Sequence, residues 1–199
     1  MLIADINISD SRQPEQKINP LMLKRWSPRA FSGESLTDEE IIPLFEAAKW
    51  APSAFNSQPW RFIYAKNGTS VWNKLFSALG EFNQVWASKA SVLILVITQN
   101  NFEHNNKPNF TASFDAGAAC ENLALEAVSR GLFAHAMSGF DYDQARTNLN
   151  IPLDYKLEVM IAIGRSGKKE NLPEKMQSAE IPSGRKKLIE IISEGEFKF

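Results

Sequence analysis

The run Ser91-Val-Leu-Ile-Leu-Val-Ile-Thr98 constrains this chain more than any other stretch. Its β-branched content predicts a buried strand. Its apolar part, Val92 to Ile97, is far too short to cross a bilayer. A buried strand needs a core around it, and 199 residues of which 44% are apolar are ample for one domain. An 11% aromatic share argues against a disordered chain.

Helices and strands are interleaved around that strand without a clean βαβ alternation, which favours α+β over a doubly wound sheet. Thr37-x-x-Glu40 has capping-box spacing, and Ile41, Leu44, Phe45 and Ala48 follow it as a helical stripe ending near Trp50. Pro43 inside that stripe should kink the helix or delay its start. Trp60 to Tyr64 alternates as a strand and stops at Asn67-Gly68. A helix is expected over Val71 to Leu79, and a loop or lid over residues 99–112. Asp115 to Arg130 is the longest helical pattern, rich in small residues and closed by Gly131. Strands follow at Phe133 to Met137 and Lys156 to Gly164, with a helix over Asp141 to Leu149 between them. The tail returns to helical spacing at Leu188, Ile189 and Ile192. Residues 1–20 form a polar arm, leaving residues 21–199 as a single domain.

With 22 basic against 23 acidic residues, neither nucleic acid nor a membrane surface is an expected partner. The single cysteine, Cys120, cannot form an internal disulfide, and the N-terminus shows no signal-peptide pattern. The expectation is a soluble cytoplasmic protein, in which the Asn-x-Ser/Thr sites at Asn7, Asn67 and Asn109 are chance.

Most catalytic patterns fail. His104, His135 and Cys120 lack metal-ligand spacing, so no metal site is expected. Cys120 sits in the Ala-rich helix as a small packed thiol rather than a nucleophile. Gly164-Arg-Ser-Gly-Lys-Lys169 only resembles a phosphate loop, because Ala162 stands where its first glycine belongs and Lys169 where its hydroxyl belongs. There is no G-x-S-x-G elbow and no G-x-G-x-x-G after a strand.

Two segments do carry chemistry. In Arg25-Trp-Ser27-Pro-Arg29, Pro28 biases Ser27 towards extended backbone, where alternate side chains share a side. Two guanidinium groups and a hydroxyl on one spot suit a phosphate or another planar anion, the alternative being a solvated basic segment. Ala51-Pro52-Ser53-Ala-Phe-Asn56-Ser-Gln-Pro-Trp-Arg-Phe62 joins a helix to a strand with amide and hydroxyl groups on a rigid frame. That suits a flat heteroaromatic ring, although Pro, Ser and Asn are also ordinary turn residues.

The order and spacing of Arg25-x-Ser27-x-Arg29 and Pro52-Ser-x-x-Asn-x-Gln-Pro-Trp-Arg-Phe62 resemble the nitroreductase family of flavin enzymes. Phe82-Asn83 ahead of the buried strand, Asp115-x-Gly-x-Ala-x-x-Asn122 in the long helix and Met137-Ser-Gly-Phe-Asp141 are similar to further family segments. The likeness covers roughly residues 20–193. It implies an α+β homodimer, with a central, mostly antiparallel sheet flanked by helices and a long interface helix. FMN would bind at two sites built from both subunits.

Carried over, Arg25, Ser27 and Arg29 hold the phosphate and the pyrimidine edge, and Trp26 lies among them. Arg185 with Lys186 completes the clamp. Pro52, Ser53 and Asn56 of the partner subunit line the ring and ribityl chain. Asn83 binds the flavin's polar edge, and Met137, Ser138 and Gly139 face its N5. No side chain need be catalytic, since a flavin carries hydride itself. The implied reaction is ping-pong transfer from NAD(P)H to a nitroaromatic, quinone or similar acceptor. A non-catalytic flavin binder, or a same-fold dehalogenase, flavin-destroying or enoate-type enzyme, is the alternative.

Overall fold

The computed structural model describes residue 8 and residues 11–199; residues 1–7, 9 and 10 of the N-terminal arm, Asn7 among them, lie outside these. The elements run α1 (Pro20–Lys24), α2 (Asp38–Lys49), β1 (Trp60–Lys66), α3 (Trp72–Phe76), α4 (Glu81–Ala87), β2 (Val92–Gln99) and α5 (Ala112–Ser129). They continue with β3 (Leu132–Met137), α6 (Tyr142–Leu149), β4 (Tyr155–Arg165) and α7 (Glu174–Gln177). The four strands form one fully antiparallel sheet in the order β1-β2-β4-β3. The α+β expectation holds.

Strand β2 is inner, and all seven residues from Val92 to Thr98 are buried, as its composition requires. Its alternate side chains divide the core in two. Leu93, Leu95 and Ile97 pack on one face with Trp72, Leu75, Trp86 and Met137. Val92, Ile94 and Val96 pack on the other with Ile41 and Leu44 of α2 and Ala119 and Leu123 of α5.

Helix α2 starts at Asp38 behind a complete Thr37/Glu40 capping box, so Pro43 does not delay it. Gly131 closes α5 with φ +73°, a conformation that favours glycine. Two expectations need correction, and a third gains detail. The helix over Val71 to Leu79 shortens to α3, and a separate helix, α4, follows it. The segment between β2 and α5 is a mostly exposed loop as expected, folded back on itself by a bridge between Asn101 and Pro108. The tail forms only a single turn, Leu188–Glu190, and Leu188, Ile189 and Ile192 stay exposed rather than packing on the other described residues of the chain.

Candidate functional site

The site is built at the free edge of the sheet, along β3. Helix α1, opened by Asn19 accepting from the Leu21 amide and by Pro20 at its first position, ends into extended backbone at Arg25. Trp26 is buried edge-on against Phe133, with ring centres 6.3 Å apart. The carbonyl of Pro28 accepts from Nδ1 of His135 on β3 at 2.9 Å, which puts the proton on that nitrogen. With the segment so anchored, Arg25 and Ser27 share a side, and Arg25 Nη1 donates to Ser27 Oγ at 3.4 Å.

A cavity of about 340 Å³ opens there, lined by Arg12, Arg25, Trp26, Ser27, Arg29, His135, Ser183 and Arg185 among others. Four guanidinium groups and two hydroxyls converge, and among the described residues no carboxylate lines the space. Such a lining calls for an anion. A smaller cavity of about 110 Å³ lies across β3, between Ala134, Ala136 and Ile161 of the sheet and Gly117, Cys120 and Ala124 of α5. Arg25 and Ser27 line both, so one elongated molecule can have a charged end in the first and a flatter end in the second.

Arg29 is held from behind. Glu180 has no exposed surface, and its Oε1 accepts from the backbone amides of Arg29 at 2.6 Å and Ala30 at 2.8 Å. Its Oε2 stands 3.9 Å from Arg29 Nη1. Arg29 Nε is buried without a hydrogen-bond partner among the described residues. A buried, unsatisfied guanidinium N–H beside a cationic cavity is a donor held for a ligand.

At the far end of β3, Asn83 on α4 donates from Nδ2 to the Gly139 carbonyl at 2.9 Å, and the Gly80 amide donates to the same carbonyl at 3.0 Å. Asn83, Ser138 and Gly139, distant in sequence, therefore share one corner. Met137 is buried beneath them.

The loop carrying Pro52, Ser53 and Asn56 sits elsewhere. None of the three lines either cavity of its own chain. Phe55, Asn56 and Gln58 have φ of 53°, 52° and 46°, left-handed values costly for residues other than glycine. The loop is kept so by buried Asp115, whose Oδ2 accepts from the Ala54 amide at 3.1 Å, and by Ser53 Oγ accepting from the Gln58 amide at 3.0 Å.

The sequence profile of the nitroreductase family matches residues 22–85 and 69–165. This chain belongs to the nitroreductase family. A solved oxidoreductase containing FMN superposes with a TM-score of 0.90 at 43% identity, covering 94% of this chain and 96% of the other. Protein DrgA of Synechocystis is 30% identical over 182 residues, 75% of this chain and 84% of its own. A Streptomyces coelicolor relative, provisionally named NADH dehydrogenase/NAD(P)H nitroreductase, is 27% identical over 156 residues, 69% of this chain and 79% of its own.

In this nitroreductase-family chain, sequence reasoning missed three site residues. Arg12 comes to the cavity, and Glu180 to Arg29 behind it, only through long-range contacts, and nothing in their neighbourhoods marks them. His135 reads in sequence as an isolated histidine, with no partner near it along the chain. Lys186, expected beside Arg185, lines neither cavity and is exposed. Burial pushes the Cys120 thiol up to about 12, helped by Glu158 and Glu121, so it stays protonated and unreactive. Among the described residues no cluster of metal-ligating side chains exists, and no helix is long and apolar enough to cross a membrane.

Burial, aided by Arg29, lowers His135 to about 4. The folded value lies below the ordinary 6.5, so the unfolded chain takes up the proton first. The contribution is complete above about pH 6.5 and is lost as pH falls towards about 4, up to roughly 3 kcal/mol. Urea denaturation near pH 7 and pH 4.5 should show this loss in the wild type and a flatter profile in His135→Gln. Equal slopes for the two proteins would refute it.

Proposed function

We propose that this protein is an FMN-dependent NAD(P)H oxidoreductase acting as a homodimer, with a nitroaromatic, quinone or similar acceptor. The observation that carries this reading is the arginine-lined cavity with the buried, unpartnered Arg29 Nε, whose donors fit the dianionic phosphate of FMN. The relative containing FMN and the relative named for NAD(P)H nitroreduction support it.

FMN, once bound, supplies the redox chemistry, taking hydride from NAD(P)H and passing electrons to an acceptor that follows the donor into the same cleft. The chain's own groups bind and orient. Arg25, Arg29 and Arg185, with Ser27, hold the phosphate and the polar flavin edge. Trp26 fixes the segment from which they project. The net positive charge of these arginines, Arg29 included, would favour the reduced, more negatively charged form of a bound flavin. Asn83, fixed on the Gly139 carbonyl, and the backbone at Met137, Ser138 and Gly139 frame the opposite edge. The partner subunit supplies Pro52, Ser53 and Asn56, in keeping with their distance from both cavities of their own chain. Helix α5 offers the surface for that partner: Phe114 and Gly117 are exposed, and a Cβ at Gly117 would meet nothing within 4 Å.

The test is direct. Purified protein should be yellow or take up added FMN, sediment as a dimer, and consume NADH or NADPH with a nitroaromatic acceptor in a parallel-line kinetic pattern. Protein that binds flavin yet turns over no acceptor is a binder, and colourless protein that takes up no FMN ends the reading.

A further inference from the structure

Arg12 stands outside everything the family match covers, yet it is the residue that ties the cavity's separate walls together. Its Nη1 donates to the carbonyls of Leu23 at 2.7 Å and Arg25 at 2.5 Å. Its Nε donates to the carbonyl of Ser183 at 3.1 Å. The first two acceptors belong to the end of α1 and the start of the Arg25–Arg29 segment. The third belongs to the C-terminal stretch that carries Arg185, which itself folds back on Ser183 through Nη1 to Oγ at 3.1 Å. One planar guanidinium thus fixes the distance between the backbones bearing Arg25 and Arg185, 160 positions apart in sequence. A lysine cannot do this, because a single ammonium does not present a fork of donors to three carbonyls.

The electrostatics point the same way. Burial lowers the Arg12 pKa most, and the nearby charges of Arg185 and Arg25 lower it further. Gathering like charges costs free energy, which a dianion between them returns.

We propose that Arg12 is a positioning residue of the phosphate cradle, pinning Arg25 and Arg185 onto one anion and giving preference for a phosphorylated flavin over riboflavin. The proposal rests on the FMN reading for the identity of the flavin, and on the cavity alone for the anion.

The full-length wild type, Arg12→Ala and Arg12→Lys are titrated with FMN and with riboflavin by flavin fluorescence. Each is also melted with and without inorganic phosphate. Arg12→Ala should weaken FMN about tenfold or more while changing riboflavin less than about twofold, the size expected when charge-assisted hydrogen bonds to the phosphate are broken or misaligned. Its stabilisation by phosphate should fall with the FMN affinity. Arg12→Lys, which keeps the charge, should recover only part of the loss and serves as the comparison if the alanine variant does not fold.

Unchanged FMN affinity in Arg12→Ala would overturn the proposal. So would an equal loss of both flavins, which marks a general structural defect, or full recovery in Arg12→Lys. A wild type that responds to phosphate but takes up no FMN ends the FMN reading, and the phosphate response of the variants then decides Arg12. A wild type with no phosphate response ends the proposal itself.

Discussion

Arg29→Ala is expected to weaken FMN binding about 100-fold and to destabilise the protein at the same time. The affinity loss follows from removing charge-assisted donors to phosphate, worth roughly 3 kcal/mol together. The stability loss has a separate cause. Glu180 is fully buried, its Oε2 has no hydrogen-bond partner among the described residues, and Arg29 at 3.9 Å is its counter-charge. Breaking a buried pair from one side leaves the other charge uncompensated, at a cost of roughly 3 kcal/mol. In a chain of this size that lowers the melting temperature by several degrees.

The two effects separate in the double variant Arg29→Ala/Glu180→Gln. The glutamine oxygen can still accept from the amides of Arg29 and Ala30, so stability should return while FMN affinity does not. Flavin titration and thermal melting of the three proteins check this. Wild-type FMN affinity in Arg29→Ala would remove Arg29 from the site, and an unimproved melting temperature in the double variant would remove the ion pair from the account.

Arg25, Ser27 and Arg29 are legible in sequence because proline-biased extended backbone makes alternate residues neighbours, a purely local rule. The structure brings Arg25 and Ser27 within 3.4 Å as that rule implies. Arg12 and Glu180 obey no local rule. Arg12 reaches Ser183 across 171 positions, and Glu180 reaches Ala30 across 150. Only the antiparallel sheet and the returning C-terminal stretch create those contacts.

The same reasoning explains the misread helices. In α4 the large side chains Phe82 and Val85 are exposed and only Trp86 and Ala87 are buried, so no stripe marks it. In the tail the stripe exists at Leu188, Ile189 and Ile192, but these side chains stay exposed, and spacing alone does not hold a helix. Periodicity reports a helix only where the fold supplies an apolar surface to meet it.

Gly167→Ala should be among the most damaging single changes in the chain, for a reason unrelated to phosphate binding. The Gly164–Lys169 stretch resembles a broken phosphate loop in sequence alone. In the fold Gly167 follows β4 and donates its amide to the Ala30 carbonyl at 2.8 Å, while the Ser32 amide donates to the Arg165 carbonyl at 3.1 Å. The two backbones are so close that a Cβ on Gly167 would stand 2.5 Å from the Phe31 carbonyl carbon and 2.9 Å from the Ala30 oxygen. Those are backbone atoms, so relief requires moving Ala30–Phe31, which adjoins Arg29 and includes one of the two amides bound to Glu180. The expected cost is about 3 kcal/mol or more, with FMN affinity falling alongside. Gly139→Ala is the matched contrast. Its Cβ would stand 2.8 Å from Asn83 Nδ2, the free end of a flexible side chain that can turn away. That variant should lose little stability, about 1 kcal/mol, while releasing Asn83 from the Gly139 carbonyl and slowing turnover. Chemical denaturation and flavin titration of both variants decide the matter: equal stability losses would mean that the close approach at Gly167 is not what holds Arg29 in place.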